Sequence, residues 1–219
     1  MNLLIVAATK LELEYLFEKC SEIKVENNTF FSLELNNFKF DILITGIGIT
    51  NTVYELTKLL QSKNYDLIIN AGIAGSFSSN NKIGDTVEVV EEQFAEIAYK
   101  DGKVQTLFEY GLMKDNGIFI NGKLLNKQTL NSSLPKVKGI TVNTIYPENS
   151  VLKKKFNVDI ETMEGGAFFY VCLKEKVPFT EIRSISNFVG ETDKNKWDIE
   201  LASKNLAKQL MTIIDNLCL

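Results

Sequence analysis

The chain has 219 residues, 45% of them hydrophobic and 24% charged, a globular composition long enough for one domain with a substantial core. A formal net charge of −4 and a pI near 5.1 argue against a nucleic-acid platform, and no apolar stretch approaches the ~20 residues of a membrane-spanning helix. With no histidine and a single arginine, Arg183, the sequence excludes Ser-His-Asp triads, Cys-His pairs and almost every transition-metal site.

In chain order, Met1 to Ala8 lack a basic n-region and read as a first strand, not a signal peptide, which points to a cytoplasmic protein. Leu11, Leu13, Leu16 and Phe17 follow at helical spacing. Phe30 to Leu35 and Phe38 to Thr45 read as paired strands joined by the Asn36-Asn37 turn, and Gly46-Ile47-Gly48 then opens a helix from about Asn51 to Leu60. Asp66 to Ala71 is an apolar run ending in an expected turn, Gly72-Ile73-Ala74-Gly75, and Thr86 to Val90 is another strand. From about Glu91 to Asn116 the pattern is ambiguous and reads as a loop or excursion. Ile118 to Ile120 and Gly139 to Asn143 are short strand candidates, and Lys153-Lys154-Lys155 reads as the wet face of a helix. Glu164 to Lys174 is a helix, Phe179 to Ser186 a strand, and Trp197 to Leu217 a long amphipathic helix.

Strands alternating with helices, with no repeat or linker, give an α/β fold in one domain over 1–219: three layers, a mostly parallel or mixed central sheet flanked by helices. Cys20, Cys172 and Cys218 are odd in number and widely spaced, without C-x-x-C, so neither a disulfide framework nor a zinc site is expected.

In such folds the ligand sits at the carboxyl ends of the strands, where four small or polar motifs fall. Thr45-Gly46-Ile47-Gly48 invites a dinucleotide reading, but Asn51 stands where the third glycine belongs, and a simple tight turn explains it equally. Asn70 to Gly75 offers unobstructed N–H groups for an oxyanion, a sugar hydroxyl or a water, or merely close packing. Glu164 lies at a strand-to-helix junction beside Glu161, where a carboxylate also complements the helix dipole. Asn187 ends an apolar strand, the lone Trp197 follows a polar loop, and Glu12 and Glu14 follow the first strand. Each alone has a structural explanation: a turn residue, a core anchor, an exposed helix face.

Taken together and in order, these motifs resemble the purine nucleoside phosphorylase and nucleosidase superfamily over nearly the whole chain. Size and motif style are similar to the branch holding methylthioadenosine/S-adenosylhomocysteine nucleosidase and futalosine hydrolase. Val142-Asn143-Thr144, Met163-Glu164-Gly165, Ile182 to Asn187 and Trp197 look like the futalosine hydrolase family. The resemblance implies that Met163 and Glu164 bind the ribose, Glu164 at its 2′-hydroxyl, that Glu12 activates water, with Glu14 as the alternative, and that Asn187 faces the purine N7 and C6 substituent. It further implies Trp197 near the base and 5′ substituent, Ala74 and Gly75 along the substrate, and Ile145 or Tyr146 stacking on the base. Ile73 falls where some nucleosidases carry a serine near the sugar. Arg183 is implied to be a buried structural partner for a carboxylate. A homodimer or homotetramer is implied, and no metal or organic cofactor.

The chemistry fits those residue types. Breaking C1′–N9 builds positive charge on the sugar, which a carboxylate on the 2′-hydroxyl stabilises more in the transition state than in the ground state. A second carboxylate takes the proton of the attacking water. Asn at 187 can donate to the O6 of a 6-oxopurine and accept from N7–H, whereas a carboxylate there would suit a 6-aminopurine. Phosphorylases hold phosphate with arginines, which this chain lacks to spare, so hydrolysis is the expectation. The expected reaction is futalosine to hypoxanthine in a menaquinone-making route. Methylthioadenosine nucleosidase, a phosphorylase and a non-catalytic nucleoside-binding protein are the alternatives.

Overall fold

A computed structural model of the chain describes residues 1–95, 98–100, 103–128, 130, 133–145, 152 and 155–217. The first strand, β1 (Leu3–Ala7), is apolar at every position because both faces are covered. Leu3, Ile5 and Ala7 face one core cluster and Leu4 and Val6 the other, the period-2 alternation of a strand. The remaining strands are β2 (Ser21–Asn27), β3 (Phe30–Leu35), β4 (Phe38–Ile44), β5 (Leu67–Ser76), β6 (Thr86–Glu92), β7 (Ala98–Lys100), β8 (Lys103–Gln105), β9 (Phe119–Ile120), β10 (Lys123–Leu125), β11 (Lys136–Thr141), β12 (Ile160–Thr162) and β13 (Phe179–Phe188). The sheet is mixed: β1 runs parallel to β4 and β5, β13 parallel to β5 but antiparallel to β6. Pairings β5–β13–β6–β11–β12–β5 close a ring, so these strands leave no open edge among themselves. The small β7–β8 hairpin occupies part of the stretch that the sequence leaves ambiguous.

Helices cover both faces, as the expected three-layer α/β class requires. On one side Leu206, Leu210, Ile213 and Ile214 of α4 (Ile199–Leu217) join the cluster with Ile5, Ile42 and Ile69. On the other, Leu56 of α2 (Ile49–Leu60) and Phe168, Phe169 and Val171 of α3 (Gly165–Glu175) pack on Leu4, Val6 and Ile68. The helix after β1 is shorter than its spacing implies: a 3-10 turn (Lys10–Leu13) runs into one α-turn, α1 (Glu14–Phe17). Asn36 and Asn37 form the expected hairpin turn with φ of 50° and 65°, a conformation asparagine tolerates. Among the described residues no helix is long and apolar enough to cross a membrane.

Three expected boundaries move. The Gly72-to-Gly75 turn is instead the continuation of β5, paired with β13 on one side and, through Gly75 and Ser76, with β12 on the other. Its glycines serve close approach: a methyl at Gly72 would lie 2.7 Å from Glu12 Oε1 and collide with Arg183, and one at Gly75 would lie 3.2 Å from Asn187 Nδ2. β13 does not stop at Ser186 but continues to Phe188 through an irregularity between Ile185 and Asn187. Trp197 lies before the last helix, not in it. Asp193 caps a separate 3-10 turn (Lys194–Lys196), and Trp197 itself is extended.

Candidate active site

Glu12 and Glu164 sit where a strand gives way to a turn or helix, and Ala74, Gly75 and Asn187 in the last residues of β5 and β13. After β1 the chain enters the 3-10 turn and Glu12 folds back on it, a capping arrangement that needs this Thr-x-x-Glu spacing. Glu12 Oε2 accepts from the Thr9 N–H at 2.9 Å and its hydroxyl at 3.1 Å, while Oε1 accepts from the Ile73 N–H at 3.1 Å. The side chain is buried, and burial pushes its pKa above the ordinary carboxylate value; Arg183 opposes that shift and Glu164 adds to it. Glu14, the alternative base, is exposed.

Glu164 takes the N-cap position of α3 and is buried. Its Oε1 accepts from the Gly48 N–H at 2.9 Å. Gly48 has φ 94°, a left-handed conformation open to glycine, and stands at the N-cap of α2, so the carboxylate also meets a helix N-terminus. The Gly-x-Gly turn thus presents its N–H to a carboxylate of the same chain. The Ile73 N–H, from the segment expected to offer donors to a ligand, is likewise engaged by Glu12.

Between these carboxylates lies Arg183, only 1% exposed. Its Nε donates to Glu181 Oε1 at 2.7 Å, and Nη1 approaches Glu164 Oε2 at 3.7 Å and Ile73 O at 3.5 Å. Burial works against its charge, but Glu181, Glu164 and Glu12 outweigh burial and raise its pKa. The expectation of a buried arginine partnering a carboxylate therefore holds, with three carboxylates around it.

Further along β13, the buried Asn187 accepts through Oδ1 from the Ser186 hydroxyl at 2.7 Å and donates through Nδ2 to Phe188 O at 3.2 Å. One amide proton and one lone pair remain available. Ala74 and Gly75 run beside it, paired with Ile185 and Asn187. The Trp197 loop is tied to the same strand because the Asp198 N–H donates to Ser186 O at 2.9 Å; the half-buried indole donates to Glu191 O at 2.9 Å. Met163 packs on the cluster of Phe77, Ala95, Ile140 and Val142. Ile145 is half-buried, and Tyr146 lies outside the described residues, as do Lys153, Lys154 and Cys218. Immediately beyond Gly48 opens a cavity of about 420 Å³, lined by Ile49, Phe94, Phe108, Phe119, Thr141 and Tyr170.

Two carboxylates below this site have no place in the sequence reading. Glu181 holds Arg183, and Glu92 of β6 is fully buried, accepting from the Thr141 hydroxyl at 2.8 Å. The available signal was Glu181 standing two residues before Arg183, on one strand face, in an otherwise apolar run.

Residues 129–217 match the phosphorylase superfamily. The chain is 28% identical to 5′-methylthioadenosine/S-adenosylhomocysteine nucleosidase of Halalkalibacterium halodurans, over 97% of each chain. It is 26% identical to futalosine hydrolase of Thermus thermophilus, over 96% of this chain and 94% of that one. Among solved structures, the methylthioadenosine/S-adenosylhomocysteine nucleosidase of Colwellia psychrerythraea in complex with adenine superposes with a TM-score of 0.80 at 22% identity, covering 99% of this chain and 96% of that one. Futalosine hydrolase of Helicobacter pylori does so at 0.79 and 19%, covering 99% and 98%. The fold is that of the nucleosidase structures on which the chain superposes.

Proposed function

We propose that the chain is an N-glycosyl hydrolase that cleaves the C1′–N9 bond of a purine nucleoside, and that its substrate carries a 6-oxopurine, as futalosine does. One observation carries this reading: Glu12 and Glu164, buried and from different strand ends, converge on one guanidinium of the strand that also carries the buried Asn187. Glu164 accepts from the ribose 2′-hydroxyl and gains strength as the sugar becomes cationic. Glu12, its basicity raised by burial, takes the proton of the attacking water. Asn187 cannot supply a proton, so N7 receives one through water; the remaining amide proton donates to O6 and the remaining lone pair accepts from N7–H. The Arg183 Nε and Nη1 face carboxylates, which supports water over phosphate as the nucleophile. The apolar cavity beyond Gly48 supports an apolar or aromatic group on the 5′ side.

A second reading, methylthioadenosine/S-adenosylhomocysteine nucleosidase, is favoured by the names of several relatives. Chromatography after incubation with an equimolar mixture of futalosine, inosine and methylthioadenosine separates the two. Hypoxanthine is the base expected first; adenine appearing first would overturn the Asn187 argument and favour the second reading.

A further inference from the structure

Behind the site, Glu92 and Glu181 reach one point beside Gly165. A methyl placed on that glycine would lie 2.7 Å from Glu181 Oε1 and 2.8 Å from the carboxyl carbon of Glu92. Both side chains are fully buried. Two adjacent carboxylates in a dry core do not both ionise, because each would face the other's charge without solvent to screen it. Their partners differ. Glu181 has the Arg183 guanidinium; Glu92 has the Thr141 and Thr162 hydroxyls. The asymmetry puts the charge on Glu181 and the proton on Glu92.

We propose that Glu181 is a positioning residue: with Glu92 neutral, Glu181 stays charged, holds Arg183 by its Nε against Glu164 and Glu12, and so sets the pH at which Glu12 becomes a base. The inference rests on the reading of Glu12 as the water-activating base. Arg183 and Glu164 are the charged groups facing Glu12, and Arg183, Glu164 and Glu92 those facing Glu181. From α3, the Cys172 thiol also faces Glu181, and burial keeps it neutral. Burial raises both carboxyls: Glu92 goes well above the ordinary carboxylate value, with Glu181 adding to the shift, whereas the rise of Glu181 is opposed by the Arg183 guanidinium it binds, which leaves Glu92 the better holder of the proton.

The test compares pH profiles of kcat/KM for the wild type, Glu181→Gln and Glu92→Gln, using whichever nucleoside the wild type turns over. Glu181→Gln leaves the guanidinium charge near Glu12 opposed by one fewer carboxylate, so the acid limb moves down by about half a pH unit or more, with kcat falling more than KM changes. In Glu92→Gln, a neutral replacing a neutral, the limb stays where the wild type has it. A Glu181→Gln limb that coincides with the wild type, or equal shifts in both variants, overturns the proposal.

A second measurement needs neither turnover nor a folded Glu181→Gln. A carboxyl whose folded pKa lies above its unfolded one gives stability that is complete below the unfolded value and lost as pH rises through the folded one. Glu92→Gln does not titrate, so its thermal-stability advantage over wild type widens from about pH 5 to pH 8. An advantage constant with pH overturns the neutral Glu92. A folded wild type that turns over no purine nucleoside would overturn the functional reading while this comparison stands.

Discussion

Glu12→Gln is expected to lower kcat by about 10²–10⁴-fold, the contribution of a positioned general base, or about 3–5 kcal/mol of transition-state free energy. The amide keeps the length and shape of the side chain but holds its lone pair too weakly to take a proton from water. It also presents an NH₂ group to either Thr9 or Ile73, whose donors the carboxylate now accepts, so one of those contacts is lost. The fold should survive, because neutralising a buried carboxyl whose pKa burial has raised removes a charge the interior disfavours. Steady-state kinetics across pH check both parts: the residual rate should lack the acid limb seen in the wild type, with KM little changed. A variant retaining full activity and that limb would assign the base elsewhere.

The second large effect is in base selection. Asn187→Asp should move the ratio of kcat/KM for inosine over methylthioadenosine toward the aminopurine by about 10²-fold or more, within the 10⁴–10⁵ that unpaired buried polar groups can impose. Asp loses the donor to O6 and, when protonated, gains an acid for N7 and an acceptor for a 6-amino group. The Ser186 hydroxyl can still donate to the new side chain, so its orientation persists. Competition between the two nucleosides gives the ratio directly. An unchanged ratio would remove Asn187 from substrate choice.

How far these residues could be read before the structure depended on how local their causes are. The Asn36-Asn37 hairpin, the apolar β1 and the helices after Gly48 and Glu164 follow from turn chemistry and period, and all are present. The Gly72-to-Gly75 segment was misplaced because glycine marks both turns and close approach, and only the fold shows Arg183 and Glu12 occupying the missing side-chain space. Trp197 was placed in the last helix because the polar residues before it disguise a separate capped turn. Glu12 was named with Glu14 as its alternative; that Glu12 is buried and Glu14 exposed is something two glutamates two residues apart do not reveal. Glu181 left one signal, its place two residues before Arg183, but Glu92 left none: β6 and β13 pair only through tertiary contacts, and the burial that couples the two carboxyls is a property of the packed core.

The proposed reaction is attack of water on C1′ of a 6-oxopurine nucleoside, and isotope transfer tests it most directly. Futalosine is turned over in ¹⁸O-water containing phosphate, and the sugar product is weighed by mass spectrometry. One ¹⁸O in the released sugar, with hypoxanthine as the base, is the expected result. An unlabelled sugar phosphate would contradict hydrolysis, and no cleavage of futalosine alongside labelled sugar from methylthioadenosine would contradict the 6-oxopurine assignment.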